Sequence, residues 1–531
     1  MARAMFTLAV AAAISLGLGA SAAKAEERVF KWAFQGDAQS LDPQGLFETF
    51  TVGFLSNVYE GLVLYDKDLQ IVPALATDWE AIDDTTWRFN LREGVKFHNG
   101  NPFTADDVIF TWQRALTKGS QMKPTASKIS DIKKIGDHQI EISTPDPLPT
   151  IARELAFLLI MDKEWSEANN TTEATDVKGG DEGNYANLHA NGTGPFRVVE
   201  RQADVRTVFE RFDDYWGEIA CNVTTGVFTP VGENATRVAA LISGELDLVY
   251  PVPVQDWPRL ETSSGVKALS GAEARTIFLG MDQSREELLG SSVKGRNPFK
   301  DKRVRLAFAH SINIDAINKK IMRNAAEPTG LMIAPQINGY DASLDQRWAY
   351  DLEKARALLA EAGYADGFSL KMDCPNDRYI NDEKICQAVV GMLAKIGVEV
   401  DLLAQTKSKF FGKILWSNDY DTSFYLLGWT PTSIDVHNAI SNLIICRGDG
   451  TGLFNVGGYC NTEVDRLASV IASEIDPAKR GAAIKQAMRL HYDEVGHIPL
   501  HNQPLSWGVR EGLGVAQRAD NVLDLRNVTV R

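Results

Sequence analysis

Apolar and polar residues alternate in two segments near the start of the chain. Residues 29–36 (VFKWAFQG) follow this period, and residues 84–92 (DTTWRFNLR) place Trp87, Phe89 and Leu91 on one face. Successive side chains of a strand point to opposite faces, so this alternation is typical of a strand with one buried face. We therefore predict a strand in each segment.

Local helix signals account for the stretch that looks most chemical, residues 94–112 (GVKFHNGNPFTADDVIFTW). Thr104 followed by Asp107 matches a capping box, in which each side chain binds the backbone amide of the other residue. Phe103 and Val108 stand at the positions of a hydrophobic staple. Acidic residues at a helix start also oppose its positive end. This stretch is therefore predicted to be structural rather than catalytic.

Later helices carry clear start signals, each with an Asp or Asn before an amphipathic stripe. Helices and strands mix along the chain without a fixed short repeat. The predicted fold class is therefore α/β or mixed α+β. The predicted N-caps are Asp351 for a helix over 352–362, Asn381 for a helix over 382–396, and Asp476 for a helix that Pro477 opens.

Length and charge narrow the possible organisation and function. A chain of 531 residues is too long for one ordinary core, so we expect two or three lobes. The formal net charge is −15. This acidic balance argues against nucleic acid or an anionic membrane surface as a partner.

The first 25 residues have the pattern of a cleaved export signal. Arg3 forms a short basic region, residues 8–18 are small and apolar, and Ala23 to Ala25 fit the A-x-A cleavage pattern. The apolar run is shorter than the roughly 20 residues that span a bilayer. We therefore predict export, with cleavage after Ala25.

Five cysteines would meet an oxidising compartment after export. Cys446 and Cys460 flank a Gly-rich loop and are predicted to close it as a disulfide. Cys374 and Cys386 form a weaker second candidate pair. Alternatively, Cys386, which lies in a helical pattern, is a buried thiol. The odd count leaves at least one thiol unpaired.

Catalytic and metal-binding motifs are missing from the sequence, which has no GxSxG, HExxH, P-loop or CxxC pattern. His497 and His501 lie four residues apart, but Pro499 between them indicates an extended segment rather than a helical metal pair. We therefore expect no enzyme activity, no metal and no cofactor.

Residues 73–114 (PALATDWEAIDDTTWRFNLREGVKFHNGNPFTADDVIFTWQR) resemble the signature region of the extracytoplasmic solute-binding proteins of peptide and nickel ABC importers, known as family 5. Further matching blocks follow in the same order and extend the resemblance over nearly the whole chain after the leader. These blocks are GTGPF at 192–196, RVAALISGELDLV at 237–249, KDKRVRLAFAHSINIDAI at 300–317, YDTSFYLLGW at 420–429 and IPLH at 498–501.

The resemblance implies a bilobal periplasmic-binding-protein fold with an additional third domain and a hinged cleft that closes on its ligand. Such a receptor would work in the periplasm as a monomer, bind no nucleic acid and dock on an inner-membrane ABC permease. The family's chain path would divide the sequence into a signal peptide (1–25), a discontinuous lobe I (26–70, 190–290 and 500–531), an extra domain (71–189) and lobe II (291–499).

One departure from the family pattern concerns the amine of the ligand. Peptide-binding members hold a free α-amine with an Asp three residues after the Trp that matches Trp429, but this chain has Thr432 there. A hydroxyl cannot neutralise an ammonium, and burying an unpaired ammonium is costly. A free-amine peptide should therefore bind poorly unless Asp435 or Glu48 substitutes. Alternatively, Asp435 only fixes the turn of its loop.

Arg378 matches the Arg that dipeptide-binding relatives place against the peptide carboxylate, because it also follows a strand and precedes a helix. Its planar guanidinium suits a carboxylate. Alternatively, it is a surface side chain that pairs with Asp382 or Glu383. The resemblance also suggests cleft walls at Phe34, Phe47, Trp429 and Thr430.

The sequence thus predicts a binding protein that delivers a solute to an ABC importer. A peptide or a peptide-like acid is the first hypothesis for the solute, and an opine, a sugar conjugate or a chelated metal is the second. An exported hydrolase is a third hypothesis. It would need a nucleophile with a partnered base, which the sequence does not show.

Overall fold

The computed structural model describes residues 27–180, 183–415, 418–448 and 451–531. The predicted signal peptide, residues 1–25, lies outside these ranges together with its cleavage site.

Helices and strands interleave along the described chain, so the predicted mixed α/β class is confirmed. The strands are β1 (Val29–Phe34), β2 (Val63–Tyr65), β3 (Ile71–Pro73), β4 (Ala76–Ala81), β5 (Thr86–Leu91), β6 (Asp131–Gly136), β7 (Gln139–Ser143), β8 (Phe196–Gln202), β9 (Arg206–Arg211), β10 (Thr225–Pro230), β11 (Leu248–Tyr250), β12 (Val266–Met281), β13 (Glu327–Pro328), β14 (Phe368–Pro375), β15 (Val398–Gln405), β16 (Phe424–Trp429) and β17 (Ile498–Arg510). The helices are α1 (Thr49–Leu55), α2 (Ala105–Ala115), α3 (Lys123–Ala126), α4 (Ile151–Leu155), α5 (Lys163–Ala168), α6 (Asn234–Ser243), α7 (Trp257–Thr262), α8 (Lys302–Ser311), α9 (Ile314–Lys320), α10 (Leu352–Glu361), α11 (Asp382–Leu393), α12 (Lys407–Ile414), α13 (Val436–Ala439), α14 (Thr462–Ser473) and α15 (Pro477–Asp493).

One large sheet of 11 strands runs through the molecule in the order β15-β14-β16-β12-β17-β11-β1-β10-β9-β8, with β13 paired to β17 outside this order. β1 is parallel to β10 and β11, and β14 is parallel to β15 and β16. A separate antiparallel sheet of four strands has the order β4-β5-β7-β6. It lies in the part of the chain predicted as the extra domain.

Two long antiparallel strands, β12 and β17, join the two sides of the large sheet. One shift in their register lies between Ala272 and Thr276 of β12. Bulges of this kind interrupt the ladder of hydrogen bonds and redirect side chains. Residues 273 to 275 therefore depart from the regular alternation of the strand.

Apolar side chains pack into separate cores on the two sides of this shift. The first core surrounds β1 and includes Phe30, Trp32 and Trp507 of β17. The second core surrounds β14 and includes Phe308 and Ile277 of β12. The four-stranded sheet packs against α2 in a third core. The exact residue boundaries of the lobes and the extra domain stay a prediction.

β16 shows why its sequence, FYLLGW, reads as a continuous apolar run. Phe424 and Leu426 point into the second core, whereas Tyr425 and Leu427 point into a further cluster on the opposite face. A strand that is buried on both faces has no solvent side and loses the usual alternation.

The predicted strands and the capping box are confirmed. β1 ends two residues earlier than predicted, and β5 covers residues 86–91 with Phe89 and Leu91 buried. Thr104 is the N-cap of α2, and the backbone N–H of Thr104 donates a 2.8 Å hydrogen bond to the Asp107 carboxylate. Since both staple residues are buried in the third core, the stretch 94–112 is accounted for by structure.

Two of the three later N-caps are also confirmed, because Asp351 and Asp476 accept backbone hydrogen bonds at the starts of α10 and α15. Asn381 stands at the predicted N-cap position of α11, but it does not cap the helix with its side chain. Its backbone is left-handed (φ 58°) and its side chain makes no cap hydrogen bond. Asp382 supplies the acceptor instead, and its carboxylate binds the backbone N–H groups of residues 378, 379 and 383.

Both candidate cysteine pairs form disulfides, Cys446 with Cys460 and Cys374 with Cys386. The alternative of a buried thiol at Cys386 is therefore wrong. Cys221 is the buried thiol among the described residues.

No helix in the described ranges combines the length and the apolar character needed to cross a bilayer.

Candidate ligand-binding cleft

A cavity of about 860 Å³ opens beside the register shift of β12. Phe50 and Tyr250 of the first core line one side, and Tyr379 of the second core lines the other. Small-molecule sites typically enclose roughly 300–1,000 Å³. The cleft is therefore large enough for a compact organic solute held between the two cores.

The wall on the side of the first core, here called the first wall (residues 34–50 and 250–255), is largely aromatic. Phe34 at the end of β1 stacks on Phe50 with ring centroids 4.1 Å apart, and its centroid lies 5.0 Å from that of Tyr250. Phe47 packs edge-on against Phe157 at 5.8 Å. Phe34 and Phe47, both predicted wall residues, thus line the cavity.

Glu48 brings a carboxylate to the first wall. It is the N-cap of α1, and its Oε2 accepts hydrogen bonds from the backbone N–H and the hydroxyl of Thr51, at 2.9 and 3.1 Å. No residue in the described part of the chain donates a hydrogen bond to its Oε1 or forms an ion pair with it. Because Glu48 is exposed at the cavity surface, this second oxygen is available to a solute.

The second wall (residues 377–381 and 428–432) carries Arg378. The loop after β14 is fixed by Asp382, whose Oδ2 accepts 2.9 Å hydrogen bonds from the backbone N–H groups of Arg378 and Tyr379. The Arg378 guanidinium lies over the Tyr379 ring, 5.1 Å from its centroid. It forms no hydrogen bond or ion pair with any residue that the structure describes, so the alternative pairing with Asp382 or Glu383 is not formed.

A second guanidinium, that of Arg275, enters the cleft from the bulge of β12. Its Nε donates a 3.0 Å hydrogen bond to Thr430 Oγ1, and its Nη2 lies 3.3 Å from Oε1 of Glu273. Desolvation in the cleft and the nearby charge of Arg275 lower the pKa of Arg378. The guanidinium groups of Arg275 and Arg378 are therefore close enough to repel each other, and an anion between them would relieve this repulsion.

Glu273 connects the bulge to the second wall. Its Oε2 accepts a 2.6 Å hydrogen bond from Nε2 of Gln503 in β17, and Gln503 Oε1 accepts a 3.0 Å hydrogen bond from the backbone N–H of Ile380. A short chain of polar contacts thus links both long strands to the loop that carries Arg378.

Hydrogen bonds to nearby side chains fix the remaining predicted residues of the second wall. Trp429 donates from Nε1 to Asn438 Oδ1 at 3.0 Å, and its ring centroid lies 4.9 Å from that of Phe454. Thr432 Oγ1 accepts a 3.0 Å hydrogen bond from Asn438 Nδ2. Trp429, Thr430 and Thr432 all line the cavity.

Asp435, the eighth predicted residue, is fully buried outside the lining of the cavity. Its two oxygens accept hydrogen bonds of 2.7 and 3.1 Å from Arg480, and it caps α13 through the backbone N–H of His437. Burial alone would raise the pKa of Asp435, but the hydrogen bonds and charge of Arg480 hold this pKa below its ordinary value. These contacts match the alternative in which Asp435 fixes its loop.

The structure adds lining residues that sequence reasoning missed, above all Glu273, Arg275 and Gln503. The available signal was a pair of charged residues in the middle of an otherwise largely apolar strand. In β12 the triplet EAR, residues 273–275, lies between the segments ALSG and TIFLGM. A bulge explains how such side chains can leave the sheet.

The described lining holds no histidine, cysteine or lysine. What it offers is two guanidinium groups, carboxylates, hydroxyls, amides and aromatic rings. These groups suit noncovalent capture of a polar, partly apolar organic solute.

Comparison with known proteins assigns the family. A sequence profile described as "Bacterial extracellular solute-binding proteins, family 5 Middle" matches residues 70–451. The dipeptide-binding protein of Escherichia coli (strain K12) is 26% identical over an alignment of 505 residues, and the match covers 89% of each chain. The glutathione-binding protein of Shigella flexneri serotype 5b (strain 8401) is 26% identical over an alignment of 497 residues, and the match covers 92% of each chain.

The fold is matched by a solved structure of an ABC transporter-associated periplasmic binding protein from Helicobacter pylori in complex with the peptide STSA. The TM-score is 0.70 at 23% identity, with 94% of this chain and 97% of that chain covered. The predicted periplasmic-binding-protein fold is therefore confirmed. The sequence profile matches more than half of the length of the chain. The chain therefore belongs to the bacterial extracellular solute-binding proteins of family 5.

Proposed function

We propose that this protein is the periplasmic substrate-binding component of an ABC importer, which captures a peptide or a peptide-like acid and delivers it to a membrane permease. The observation that carries the proposal is the cavity of about 860 Å³ between two cores. One wall has a guanidinium without an ion-pair partner among the described residues, and the other wall has aromatic rings. The dipeptide and glutathione named for two relatives support the same class of solute.

Closure would bring the two walls together on the solute. β12 and β17 are the long strands that contribute to both cores, and the polar contacts of Glu273 and Gln503 lie where they pass the cavity. Bending of the two strands at this point would be a hinge closure around the ligand. With the proposed lobe boundaries, the hinge point of β12 lies inside lobe I, which extends to residue 290. The hinge point of β17 lies close to the boundary at residue 499.

Arg378 is the proposed anchor for a carboxylate of the solute. Its guanidinium has five donors without protein partners among the described residues, and a planar carboxylate can use two of them at once. Phe34, Phe47 and Trp429 would cover the apolar part of the solute, and the hydroxyls of Thr430 and Thr432 would orient it.

The test is mass spectrometry of the solute that co-purifies with protein exported through its own leader. The protein is denatured to release the solute, and the same protein after unfolding, washing and refolding serves as the ligand-free control. We expect a peptide or a peptide-like acid in near-stoichiometric amount, and an intact mass that begins at Glu26. A neutral sugar or a metal chelate in that amount would overturn the proposed solute class.

A further inference from the structure

The charges of the cleft are distributed unevenly between its walls. Six charged side chains line the cavity: Glu48, Glu273, Arg275, Asp377, Arg378 and Asp520. Most of them already have a protein partner that satisfies them. A solute in the cleft would have to neutralise only the charges that have no such partner.

Four of the six are engaged within the protein. Glu273 and Arg275 pair with each other at 3.3 Å. Asp520 is bound by Arg518, with a shortest contact of 2.6 Å. Asp377 accepts a hydrogen bond from the backbone N–H of Lys407 at the start of α12.

Arg378 and Glu48 remain without an ion-pair partner in the described part of the chain, and they lie on different walls. Arg378 belongs to the second wall, and Glu48 belongs to the first. The other acid considered for an amine, Asp435, is already neutralised by Arg480 and buried away from the cavity. Thr432 carries no charge, and its hydroxyl oxygen already accepts a hydrogen bond from Asn438.

From this distribution we propose that the solute is a zwitterion with a free ammonium, and that it lies across the cleft with its ammonium on Glu48 and its carboxylate on Arg378. This inference rests on the proposed function and specifies the class and orientation of its ligand. It is the case in which Glu48 substitutes for the missing acid, since Glu48 supplies the carboxylate that Thr432 cannot.

The geometry favours Glu48 over Asp377 for this role. Asp377 is adjacent to Arg378 in sequence and on the same wall, whereas the charged ends of an extended dipeptide are separated by about two residue lengths of roughly 3.3–3.6 Å each. Glu48 and Arg378 lie on opposite walls, so a solute between the walls can present one end to each of them. A zwitterion in this orientation also contacts both cores and so stabilises closure through each of its ends.

The experiment is isothermal titration of the ligand-free protein with Ala-Phe and Ala-Ala-Phe, each in its free, N-acetylated and C-amidated form. Wild type should bind the free forms at least about tenfold more tightly than the N-acetylated forms, because acetylation removes the charge that pairs with Glu48. Glu48→Gln keeps an oxygen for Thr51 and should bring the ratio of the two affinities close to one. Asp377→Asn, the matched control in the same cavity, should leave the ratio as in wild type.

Equal binding of free and N-acetylated peptides by wild type would overturn the inference, and so would a Glu48→Gln variant that keeps the preference. Loss of the preference in Asp377→Asn alone would place the amine on the second wall and overturn it as well. If no peptide form binds while a neutral sugar or a metal chelate co-purifies, the proposed solute class itself fails, which distinguishes the two failures.

Discussion

At the scale of single residues, Arg378 is the side chain whose surroundings point most directly to a ligand. We predict that Arg378→Gln weakens binding of an acidic solute by about 1.5–3 kcal/mol, the usual range for hydrogen bonds to a charged group. Thermal unfolding of the ligand-free variant should match wild type, because the guanidinium supports no described contact except that with the Tyr379 ring.

Arg466→Gln is a suitable control for this change, because Arg466 is exposed on α14 and its one ion pair among the described residues is with Glu463, within one helix turn. Calorimetric titration should show unchanged affinity for this control. If Arg378→Gln binds as tightly as wild type, Arg378 is not the carboxylate anchor.

Asp435 should act on stability. Asp435→Asn leaves the buried guanidinium of Arg480 without its counter-ion, and breaking a buried pair in this way typically costs about 3–5 kcal/mol. Urea unfolding should show this loss, whereas Asp401→Asn at an exposed position of β15 should not. A stable Asp435→Asn variant that cannot bind solute would instead make Asp435 a ligand residue.

His501 in β17 predicts a dependence of stability on pH. It is 1% exposed, and neither ring nitrogen has a hydrogen-bond partner among the described residues. Burial lowers the pKa of His501 from 6.5 to about 4. Between these values the unfolded chain binds a proton that the folded protein does not, so this group reduces the free energy of unfolding as the pH falls.

The expected loss from His501 is about 2 kcal/mol between pH 7 and pH 5. His501→Phe should remove this part of the loss in urea unfolding measured at both pH values. His189→Gln, at an exposed position, should keep it. An identical fall in wild type and His501→Phe would contradict the assignment.

Seven of the eight residues predicted for the cleft line the cavity. The sequence identified those next to turns, where strand ends and loops meet. It could not place Asp435, because the partner that buries it, Arg480, is 45 residues away along the chain. It also missed Arg275, since only the pairing with β17 shows that β12 bulges there.

At the scale of elements, the disulfide between Cys374 and Cys386 encloses the loop that carries Arg378. It joins the end of β14 to α11. We predict that Cys374→Ser with Cys386→Ser lowers the free energy of unfolding by about 2–4 kcal/mol. The loop should then sample more conformations, so amide exchange of residues 377–381 should accelerate and affinity should fall.

The pair Cys446→Ser with Cys460→Ser is the control, because it removes the other disulfide and leaves this loop closed. It should lower stability without faster exchange in residues 377–381. Equal exchange in both double variants would show that the Cys374–Cys386 bond does not order the loop.

Helix starts were predictable where one side chain caps its own helix, as at Thr104, Asp351 and Asp476. The start of α11 at residue 382 was also predicted, but the role of Asn381 was not, because its side chain binds the Ile321 carbonyl and Gln255, which lie in distant parts of the chain. Tertiary contacts thus decided the conformation that local preference left open.

At the scale of the whole molecule, the fold was predicted from the order of the motif blocks that resemble family 5. Periodicity alone indicated only a mixed α/β chain. The structure adds the arrangement that matters for function, in which two long strands pass from one core to another beside a cavity. Such strand pairing over long sequence separation, as between residues 266 and 510, cannot be read from local patterns.

The central claim is that the cleft between the first and second cores holds the solute. A crystal structure of the protein with its co-purified solute tests it most directly. We predict solute density between Phe34 and Trp429, with a carboxylate on Arg378. An ordered solute bound elsewhere, with this cavity filled only by water, would contradict the claim.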